Sequence, residues 1–437
     1  MAQFSSALLI ELQARGLIAD CTDAAGLDRF LDQGNKLTVY AGFDPTGVGL
    51  HVGHLIALQV LNIFSRHGHK AIALLGGATA QVGDPTGRTA ARPRLAPDRL
   101  AANKTGVKAD ILRAAPGVEL VDNEAWMSGM CFMSFMLEVG SVMSLGHLLS
   151  LETIAKRVED RNAGISVLEA VYPLIQGYDF LHLSRLHGPM VQIGGSDQWG
   201  NITTGLTMIR KLGGQDGSKP DPAWGLTAPL LCKSDGTKMG KTADGAVWLS
   251  PERLEDLDLF QFWRNVDDEE AIRFARIFLP LDRFAEIAAV EAALAAGKSG
   301  APSASGEPTS PAAINALKES LAHAATAAAR SGQAADRALA AVKAAFGRGG
   351  DQSALPSFTV TPQQLRDPAL LLRDLGLSPS RNEARRLIAQ GGVRLNGEKL
   401  TSDAVILEEA LQDQGGHLSL GKHRHYRLIL DNLSGIT

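Results

Sequence analysis

Five short β-rich runs punctuate the first half of the chain, and most are separated by stretches long enough for a crossover helix. Strands joined by such helices lie parallel in one sheet, with helices on both faces and ligands at the carboxyl ends of the strands. The sequence therefore predicts an α/β fold with a doubly wound parallel sheet. Its expected strands are Leu37–Tyr40, Ala71–Leu75, Val118–Val121, Met190–Ile193 and Gly225–Leu231.

The pattern becomes helical after Pro251, as in "LEDLDLFQFWRNVDDEEAIRFARIFLPL" and "AINALKESLAHAATAAAR". We therefore expect a catalytic-type α/β domain over residues 1–250, with a helical insertion near 125–188, and an α-helical domain over residues 251–348. The stretch "GKSGAPSASGEPTSP" at residues 297–311 is rich in Gly, Ser and Pro and predicts a flexible insertion. A linker at residues 349–360 should precede a small C-terminal unit at residues 361–437.

Composition limits the classes of function. The 437 residues are 45% apolar, enough for several buried cores. The net charge of −4 means that any nucleic-acid binding must come from a local basic patch. Three isolated cysteines fit neither a disulfide framework nor a zinc site. The amino-terminal segment lacks the pattern of a signal peptide, and no apolar run approaches the ~18 residues of a spanning helix. We expect a soluble, cytoplasmic protein with no membrane partner and no metal site.

The stretch "DGTKMGKT" places Lys238 and Lys241 three residues apart in a loop rich in small residues. A P-loop is excluded, because only three residues separate Gly236 from Gly240 and no clear helix pattern follows. Two ammonium groups on a flexible loop suit a phosphate-bearing ligand. A solvated surface loop is the alternative for this stretch taken alone.

A second candidate site follows the first predicted strand, in "YAGFDPTGVGLHVGHLIALQVLNIF". His51 and His54 lie three residues apart at the start of a predicted helix, so their side chains should share one face of its first turn. Gly53 between them leaves the helix surface open to a flat group. A helix amino terminus favours anions, and two imidazole donors there can contact phosphate oxygens. Capping or surface histidines are the alternative.

The two stretches "HVGH" and "KMGKT" resemble the paired nucleotide-binding signatures of aminoacyl-tRNA synthetases with a Rossmann-type catalytic domain. Together with "YAGFDPTG", "GGATAQVGDPTG", "YPLIQGYDF" and "QIGGSDQWGN", in order along nearly the whole chain, they resemble the bacterial tyrosyl-tRNA synthetase family. Two features depart from the general pattern. Gly240 stands where the general second signature has Ser, and the insertion at residues 297–311 is unusual.

The resemblance implies that L-tyrosine attacks the α-phosphorus of ATP to give tyrosyl-adenylate and pyrophosphate, before transfer of the tyrosyl group to tRNA(Tyr). Catalysis then consists of positioning and charge stabilisation. ATP is a substrate accompanied by Mg²⁺, which phosphates and water mainly hold, and no tightly bound cofactor is expected. By resemblance, the catalytic residues are His51, His54, Lys238, Lys241 and Thr46, and the ATP-binding residues are Gly53, Asp197, Lys241 and Thr242.

The same resemblance implies a tyrosine pocket. Tyr40 and Asp179 would contact the phenol hydroxyl, and Gln198 the reacting carboxylate. The substrate ammonium would lie among Asp84, Tyr172 and Gln176. The spacing of Tyr172, Gln176 and Asp179 independently places them on one face of a helix. Taken singly, these residues have structural alternatives: Tyr40 as a strand aromatic, Asp84 as a turn former, Asp179 as a surface charge, and Ser196 or Asp197 as a helix cap.

The C-terminal stretch "LSPSRNEARRLIAQGGVRLNGEKL" predicts a capped helix starting near Ser378 and stopped by Gly391-Gly392. A strand, an Asn396-Gly397 turn and a second strand should follow. This unit resembles the small α+β S4 RNA-binding fold, in which a basic face grips the RNA backbone. The candidate RNA-binding residues are Arg381, Arg385, Arg386 and Arg394. A solvated charged helix is the alternative.

The resemblance also implies a homodimer, with an interface in the Met-rich stretch "WMSGMCFMSFMLEVGSVMSL", although such a stretch could equally be internal core. Two other functions compete with the main interpretation. One is a synthetase for tryptophan, and the other is an RNA-binding protein on a synthetase scaffold that has lost the activation chemistry.

Overall fold

The structure, a computed structural model, describes most of the chain. The described residues are 3–86, 95–160, 164–214, 218–232, 239–242, 245–299, 311–346, 355–401, 406, 408–411, 415–421 and 424–431. They form two compact units, Met1–Leu254 with Val266–Ser331, and Glu255–Asn265 with Gly332–Thr437. Lys238 and residues 300–310 of the predicted insertion lie outside the described part of the chain. Within the described residues, no helix combines the length and apolarity needed to cross a membrane.

A six-stranded sheet organises the first unit. Its strands are β1 (Asp20–Cys21), β2 (Thr38–Phe43), β3 (Lys70–Leu75), β4 (Glu119–Asp122), β5 (Met190–Gly195) and β6 (Ala223–Ala228). Their order is β1-β6-β5-β2-β3-β4, and every neighbouring pair is parallel except β1 with β6. The prediction of a doubly wound parallel sheet is confirmed, with strand ends displaced by at most three residues. The short antiparallel edge strand β1 was not predicted.

Helices follow and cover these strands. Before β5 the chain forms α1 (Ala7–Ala14), α2 (Ala24–Asp32), α3 (Leu55–Arg66), α4 (Thr79–Val82), α5 (Pro97–Ala114), α6 (Glu124–Met127), α7 (Phe132–Phe135), α8 (Leu145–Ser150), α9 (Glu152–Glu159), α10 (Val167–Ala170) and α11 (Tyr172–His187). Helices α6 to α11 occupy the region of the predicted helical insertion. α12 (Trp199–Leu212) follows β5.

Two very short strands, β7 (Lys241–Thr242) and β8 (Gly245–Ala246), form an antiparallel pair after the sheet. The predicted helical stretch then begins with α13 (Asp256–Arg264), α14 (Asp268–Phe278), α15 (Phe284–Ser299), α16 (Pro311–Ala329) and α17 (Gly332–Phe346). Helices α14 to α16 belong to the first unit, whereas α13 and α17 belong to the second. The helical region predicted at residues 251–348 is therefore divided between the units.

The second unit contains a five-stranded sheet in the order β11-β10-β12-β13-β9. Its strands are β9 (Ser357–Val360), β10 (Val393–Leu395), β11 (Glu398–Lys399), β12 (Gly416–Leu420) and β13 (Arg424–Leu430), and its other helices are α18 (Pro368–Asp374) and α19 (Arg381–Ala389). The linker predicted at residues 349–360 is wrong for residues 357–360, because these residues pair in parallel with β13. That partner lies about seventy residues further along the chain, so no local pattern could reveal it.

Local signals correctly predicted the centre of this unit. The hydroxyl of Ser380 caps α19 by accepting the Glu383 amide at 3.2 Å. The turn between β10 and β11 uses Asn396 and Gly397, whose φ angles of 52° and 88° suit these residue types. One side of α19 is buried through Ala384 and Ile388, which leaves the arginines of this helix on the exposed side.

Candidate functional site

A cavity of about 320 Å³ lies at the carboxyl ends of β2 and β5. The chain continues from these two strands into opposite halves of the sheet, and a crevice at such a reversal is where α/β sheets bind ligands. Most of the residues that the sequence predicts for the site line this cavity. They are Tyr40, Thr46, Gly53, His54, Asp84, Tyr172, Gln176, Asp179, Asp197 and Gln198.

Three further expected residues are His51, Lys241 and Thr242, of which His51 lies beside the cavity without lining it. The His51 ring lies 4.1 Å from the His54 ring, measured between centroids. The backbones of Lys241 and Thr242 form β7, paired with Ala246 and Gly245. The structure thus brings the histidine stretch together with the polar residues of the cavity.

One end of the cavity is deep and nearly closed to water. The Asp179 side chain there accepts hydrogen bonds from Trp126 Nε1 at 2.9 Å and Asn123 Nδ2 at 3.0 Å. Burial raises the pKa of Asp179 to about 7, against the lowering effect of these two bonds. The surface-charge alternative for Asp179 is therefore wrong, because the residue is only 1% exposed.

Two polar groups at this depth have no hydrogen-bond partner among the described residues. They are the Tyr40 hydroxyl and the Gln192 side-chain oxygen, both buried. Tyr40 and Gln192 are register partners on β2 and β5, and both line the cavity. Buried polar groups in native proteins are normally paired. This end of the cavity is therefore built for a ligand that brings its own polar group.

A buried network supports Asp179 from behind. Asn123 Nδ2 also donates to Thr79 Oγ1 at 3.1 Å, and Thr79 donates to Asp44 Oδ1 at 2.7 Å. The Tyr172 hydroxyl donates to the other oxygen of Asp44 at 3.0 Å. The sequence reasoning missed Asp44, Thr79, Asn123, Trp126 and Gln192. A usable signal existed for Asn123 and Trp126, which lie within five residues after the predicted strand Val118–Val121, and for Asp44 in the "YAGFDPTG" stretch.

The more open end of the cavity contains a second polar group of residues. Gln198 Nε2 donates to Asp84 Oδ2 at 2.8 Å, and Gln176 Nε2 donates to Gln198 Oε1 at 3.2 Å. Asn201, which was not predicted, donates to both Gln176 and Gln198 at 3.0 and 3.1 Å. These bonds join the loop after α4 to α11 and α12. The Asp84 carboxylate lines the cavity and can still accept a hydrogen bond from a cationic ligand.

Neither α12 nor the 3₁₀ turn Ser196–Gln198 before it has a side-chain cap. The alternative that Ser196 or Asp197 serves as a helix cap is therefore not realised. Asp197 instead lines the cavity.

The histidine stretch forms a 3₁₀ turn, Val52–His54, before α3 begins. His51 Nδ1 accepts the Gly53 amide at 3.1 Å, and His54 Nδ1 accepts the His51 amide at 3.2 Å. The neutral His51 ring therefore carries its proton on Nε2, whereas His54 Nδ1 also lies 3.3 Å from the His51 carbonyl and can donate to it in the other tautomer. Burial lowers the pKa of His54 to about 4, so this imidazole is a neutral donor at physiological pH.

The segment around Gly240 packs directly on the histidine turn. The Val52 amide donates to the Val247 carbonyl at 3.0 Å, and the Leu249 amide to the Leu50 carbonyl at 2.9 Å. Gly240 has a φ of +116°, and a Cβ at this position would lie 2.5 Å from His51 Nδ1. The side chain of a serine would not fit there. The departure from the general signature at Gly240 thus has a steric reason in this chain.

The second unit presents its candidate RNA-binding residues on α19 and β10. Arg381 pairs with Asp367, and Arg394 Nη1 donates to the Gly397 carbonyl at 3.1 Å. The side chains of Arg385 and Arg386 are exposed and make no hydrogen bond or ion pair with any described residue. A basic patch with unpaired guanidinium groups is suited to phosphate oxygens.

Comparison with known proteins identifies close similarities. Residues 32–347 match the family model of tRNA synthetases class I (W and Y), and residues 369–410 match the S4 domain. The tyrosine–tRNA ligase of Zymomonas mobilis is 37% identical over 433 residues, covering 97% of this chain and 98% of that relative. The tyrosine–tRNA ligase of Pseudomonas aeruginosa strain LESB58 is 38% identical over 434 residues, with coverage of 97% and 98%.

A solved structure is also similar. It is a C-terminally truncated mitochondrial tyrosyl-tRNA synthetase from Aspergillus nidulans, with a TM-score of 0.62 and 26% sequence identity. The similarity covers 76% of this chain and 92% of that one.

The raised pKa of Asp179 predicts a pH-dependent stability. The folded chain holds this proton up to about pH 7, whereas the ordinary pKa is 3.8, so the ionisation opposes folding as the pH rises through this window. Asp179→Asn removes the ionisation. We expect its melting temperature, relative to that of the unaltered protein, to be higher at pH 8 than at pH 5 in thermal unfolding scans.

Asp28→Asn is the matched control for this measurement. Asp28 is also buried, but hydrogen bonds from Ser5 and Ser6 outweigh burial and lower its pKa. Asp28 therefore stays ionised in both states between pH 5 and pH 8, and its variant should show a constant difference in melting temperature. The same pH dependence of the melting temperature in both variants would contradict a raised pKa of Asp179 in the folded protein.

Proposed function

Because the chain belongs to the class I tRNA synthetases for tryptophan and tyrosine, we propose that it is a tyrosine–tRNA ligase. The enzyme activates L-tyrosine with ATP, forming tyrosyl-adenylate and pyrophosphate, and transfers the tyrosyl group to tRNA(Tyr). The observation that carries this proposal is the deep end of the cavity, where the buried Tyr40 hydroxyl lacks a partner beside Asp179. We propose a cytoplasmic location, as the sequence predicts.

Tyrosine selectivity rests on that deep end. The phenol hydroxyl of the substrate would donate to Asp179 and accept from Tyr40, which completes the hydrogen bonding of both groups. Phenylalanine would leave the Tyr40 hydroxyl without a partner and would not supply the additional hydrogen bond to Asp179, and both losses cost free energy. Asn123 and Trp126 hold the Asp179 carboxylate in position for this contact.

The open end of the cavity would hold the reacting part of the amino acid. The ammonium group would lie among Asp84, Tyr172 and Gln176, with the carboxylate of Asp84 supplying the negative charge. Gln198 already donates to Asp84, and it would orient the substrate carboxylate with its remaining hydrogen-bonding capacity. The hydrogen bonds among Gln176, Gln198 and Asn201 preorganise these groups before the substrate binds.

ATP would lie with its phosphates at the histidine turn. His51 and His54 would donate through Nε2 to phosphate oxygens, with the help of Thr46, while Gly53 leaves room for the nucleotide and Asp197 binds the ribose. Lys238 and Lys241 would neutralise the departing pyrophosphate, and Thr242 would add a hydroxyl donor. Mg²⁺ would arrive with ATP, bound mainly by phosphates and water. No side-chain nucleophile is needed, because the tyrosine carboxylate itself attacks the α-phosphorus.

The test of this function is the amino-acid-dependent exchange of labelled pyrophosphate into ATP. Tyrosine should drive the exchange, and tryptophan and phenylalanine should not. Tyr40→Phe removes one hydroxyl and should lower kcat/KM for tyrosine roughly fivefold, corresponding to about 1 kcal/mol for one hydrogen bond. Asp179→Ala should cost tyrosine more than Tyr40→Phe does, and both variants should change phenylalanine activation much less.

An unchanged ratio of tyrosine to phenylalanine activation in both variants would disprove the pocket assignment. Exchange driven by tryptophan would identify the tryptophan enzyme instead. A complete absence of exchange would leave an RNA-binding protein that has lost the activation chemistry.

We propose that α19 and its neighbourhood bind the backbone of tRNA(Tyr). Replacing both Arg385 and Arg386 by Ala should raise the KM for tRNA in aminoacylation. It should also make the affinity for tRNA fall less steeply with salt concentration, by the amount expected for the loss of about two phosphate contacts. Pyrophosphate exchange should be unaffected, since it does not involve tRNA. Arg373→Ala is the control, because Arg373 is exposed in the same unit but pairs with Asp374. Equal effects of the double replacement and the control would refute a specific RNA contact.

We propose that the protein is a homodimer whose interface includes the Met-rich stretch. Large apolar side chains are exposed there, including Phe132 at 73%, Leu137 at 69% and Leu145 at 67%. The interpretation of this stretch as internal core fails for these residues. A second copy of the chain would remove their apolar surface from water, which is favourable by about 25 cal/mol per Å².

Analytical ultracentrifugation tests the dimer. The unaltered chain should sediment at about twice its mass of 46.3 kDa. Phe132→Asp combined with Leu137→Asp should shift the protein to monomer, because two charges would be buried in the interface. Leu281→Asp, at another exposed apolar side chain, should leave the dimer intact. A monomeric unaltered chain at micromolar concentration would refute the proposal.

A further inference from the structure

The segment Asp44–Leu50, which leads into the histidine turn, has no regular secondary structure. Helix α5 lies against it and contacts it at both ends. Asn103 Nδ2 donates to the Pro45 carbonyl at 3.0 Å, and Asp110 Oδ2 accepts the Leu50 amide at 2.8 Å. Both side chains are only 1% exposed. A buried side chain on a rigid helix thus fixes each end of an otherwise irregular segment.

The middle of the segment is held by close packing. A Cβ added to Gly106 of α5 would lie 2.1 Å from the Val48 carbonyl oxygen. Asn103, Gly106 and Asp110 are spaced by three and four residues, so they share one face of the helix. This face of α5 therefore follows the segment along its whole length, at a distance that only a glycine at position 106 permits.

A carboxylate at the buried position 110 is unfavourable for the stability of the folded protein. Burial raises the pKa of the Asp110 carboxyl, against the opposing effect of the bonds from Leu50 and Arg113, and burying a carboxylate is unfavourable unless it is well paired. Arg113 Nη1 supplies the charged partner at 2.7 Å. Asp110 does not line the cavity described above. It therefore holds the backbone of this segment without being placed to touch a substrate.

We propose that Asp110, with the glycine face of α5, is a positioning residue for ATP, because it fixes the Leu50 amide and with it the adjoining His51. The inference rests on the proposed activation of tyrosine by ATP. The Leu50 carbonyl accepts the Leu249 amide, so the same peptide segment also contacts the stretch that follows β8. The tyrosine pocket is supported by Asn123, by α11 and by Asp44, which lies at the opposite end of the segment from Leu50. A displacement of the Leu50 end should hence weaken the use of ATP more than the use of tyrosine.

The test compares pyrophosphate-exchange kinetics of full-length variants. Asp110→Ala should raise the KM for ATP or lower kcat by about tenfold or more, since small displacements of positioning groups have large kinetic effects. The KM for tyrosine should stay within about twofold of normal. Asp110→Asn should restore most of the activity, because its amide oxygen can still accept the Leu50 amide.

Asp28→Ala is the matched control. Asp28 lies on α2, and its buried carboxylate accepts the backbone amides of Ser5 and Ser6. This replacement should lower the melting temperature without changing the KM for ATP. If Asp110→Ala lowers only the melting temperature, as this control does, Asp110 is a purely structural residue and the inference is wrong.

Gly106→Ala provides a second variant in case Asp110→Ala does not fold. The added methyl group should displace the Val48 carbonyl, while alanine itself favours the helix more than glycine does. A higher KM for ATP or a lower kcat in a variant that folds well supports the inference, and an unchanged KM together with an unchanged kcat overturns it. An unaltered enzyme that lacks tyrosine-dependent exchange would overturn the proposed function, and the inference with it. An active enzyme with unaffected variants overturns only the inference.

Discussion

The parallel pairing of β2 with β3 on one side and β5 on the other is the constraint on which the site depends. Because the chain turns away from these strands in opposite directions, a crevice opens where β2 and β5 end. The register places Tyr40 beside Gln192, and both line the cavity. A slip of one residue in this pairing would turn Tyr40 to the opposite face of the sheet. The helices that complete the cavity all pack on strands whose positions follow from this pairing.

Buried polar groups then give the cavity its chemistry. Asp44, Thr79, Asn123 and Asp179 form a chain of hydrogen bonds in an environment that water hardly reaches, where such bonds are strong and unpaired groups are costly. Within the described residues, the Tyr40 hydroxyl and the Gln192 oxygen remain unpartnered at the deep end. The network fixes the supporting residues, and the unpartnered groups define what a ligand must supply. Selectivity and rigidity therefore arise from the same set of bonds.

The phosphate end of the site is built differently. Two other segments contact the histidine turn there. One is the irregular Asp44–Leu50 segment held by α5, and the other is the stretch around Gly240. Backbone hydrogen bonds and two close glycine contacts hold them, with few side-chain bonds. The imidazole of His54 is neutral at physiological pH because it is buried. His54 thus offers a hydrogen-bond donor without the positive charge of an imidazolium.

The sequence alone determined the parallel strands of the sheet, the proximity of His51 and His54, the spacing of Tyr172, Gln176 and Asp179, and the turn at Asn396-Gly397, since each follows from residues close together in the chain. It did not predict the edge strand β1 or the 3₁₀ turn Val52–His54 that His51 caps. Periodicity, capping residues and turn residues act over a few positions, so these patterns can be read from the sequence without knowledge of the fold. Tertiary structure alone decided the pairing of β9 with β13, the support of Asp179 by Asn123 and Trp126, and the contact of Asp110 with Leu50. Those partners lie between 53 and 70 residues apart, and only packing brings them together. The pKa of Asp179 belongs to the second group as well, because it depends on burial, which the fold creates and no short stretch of residues encodes.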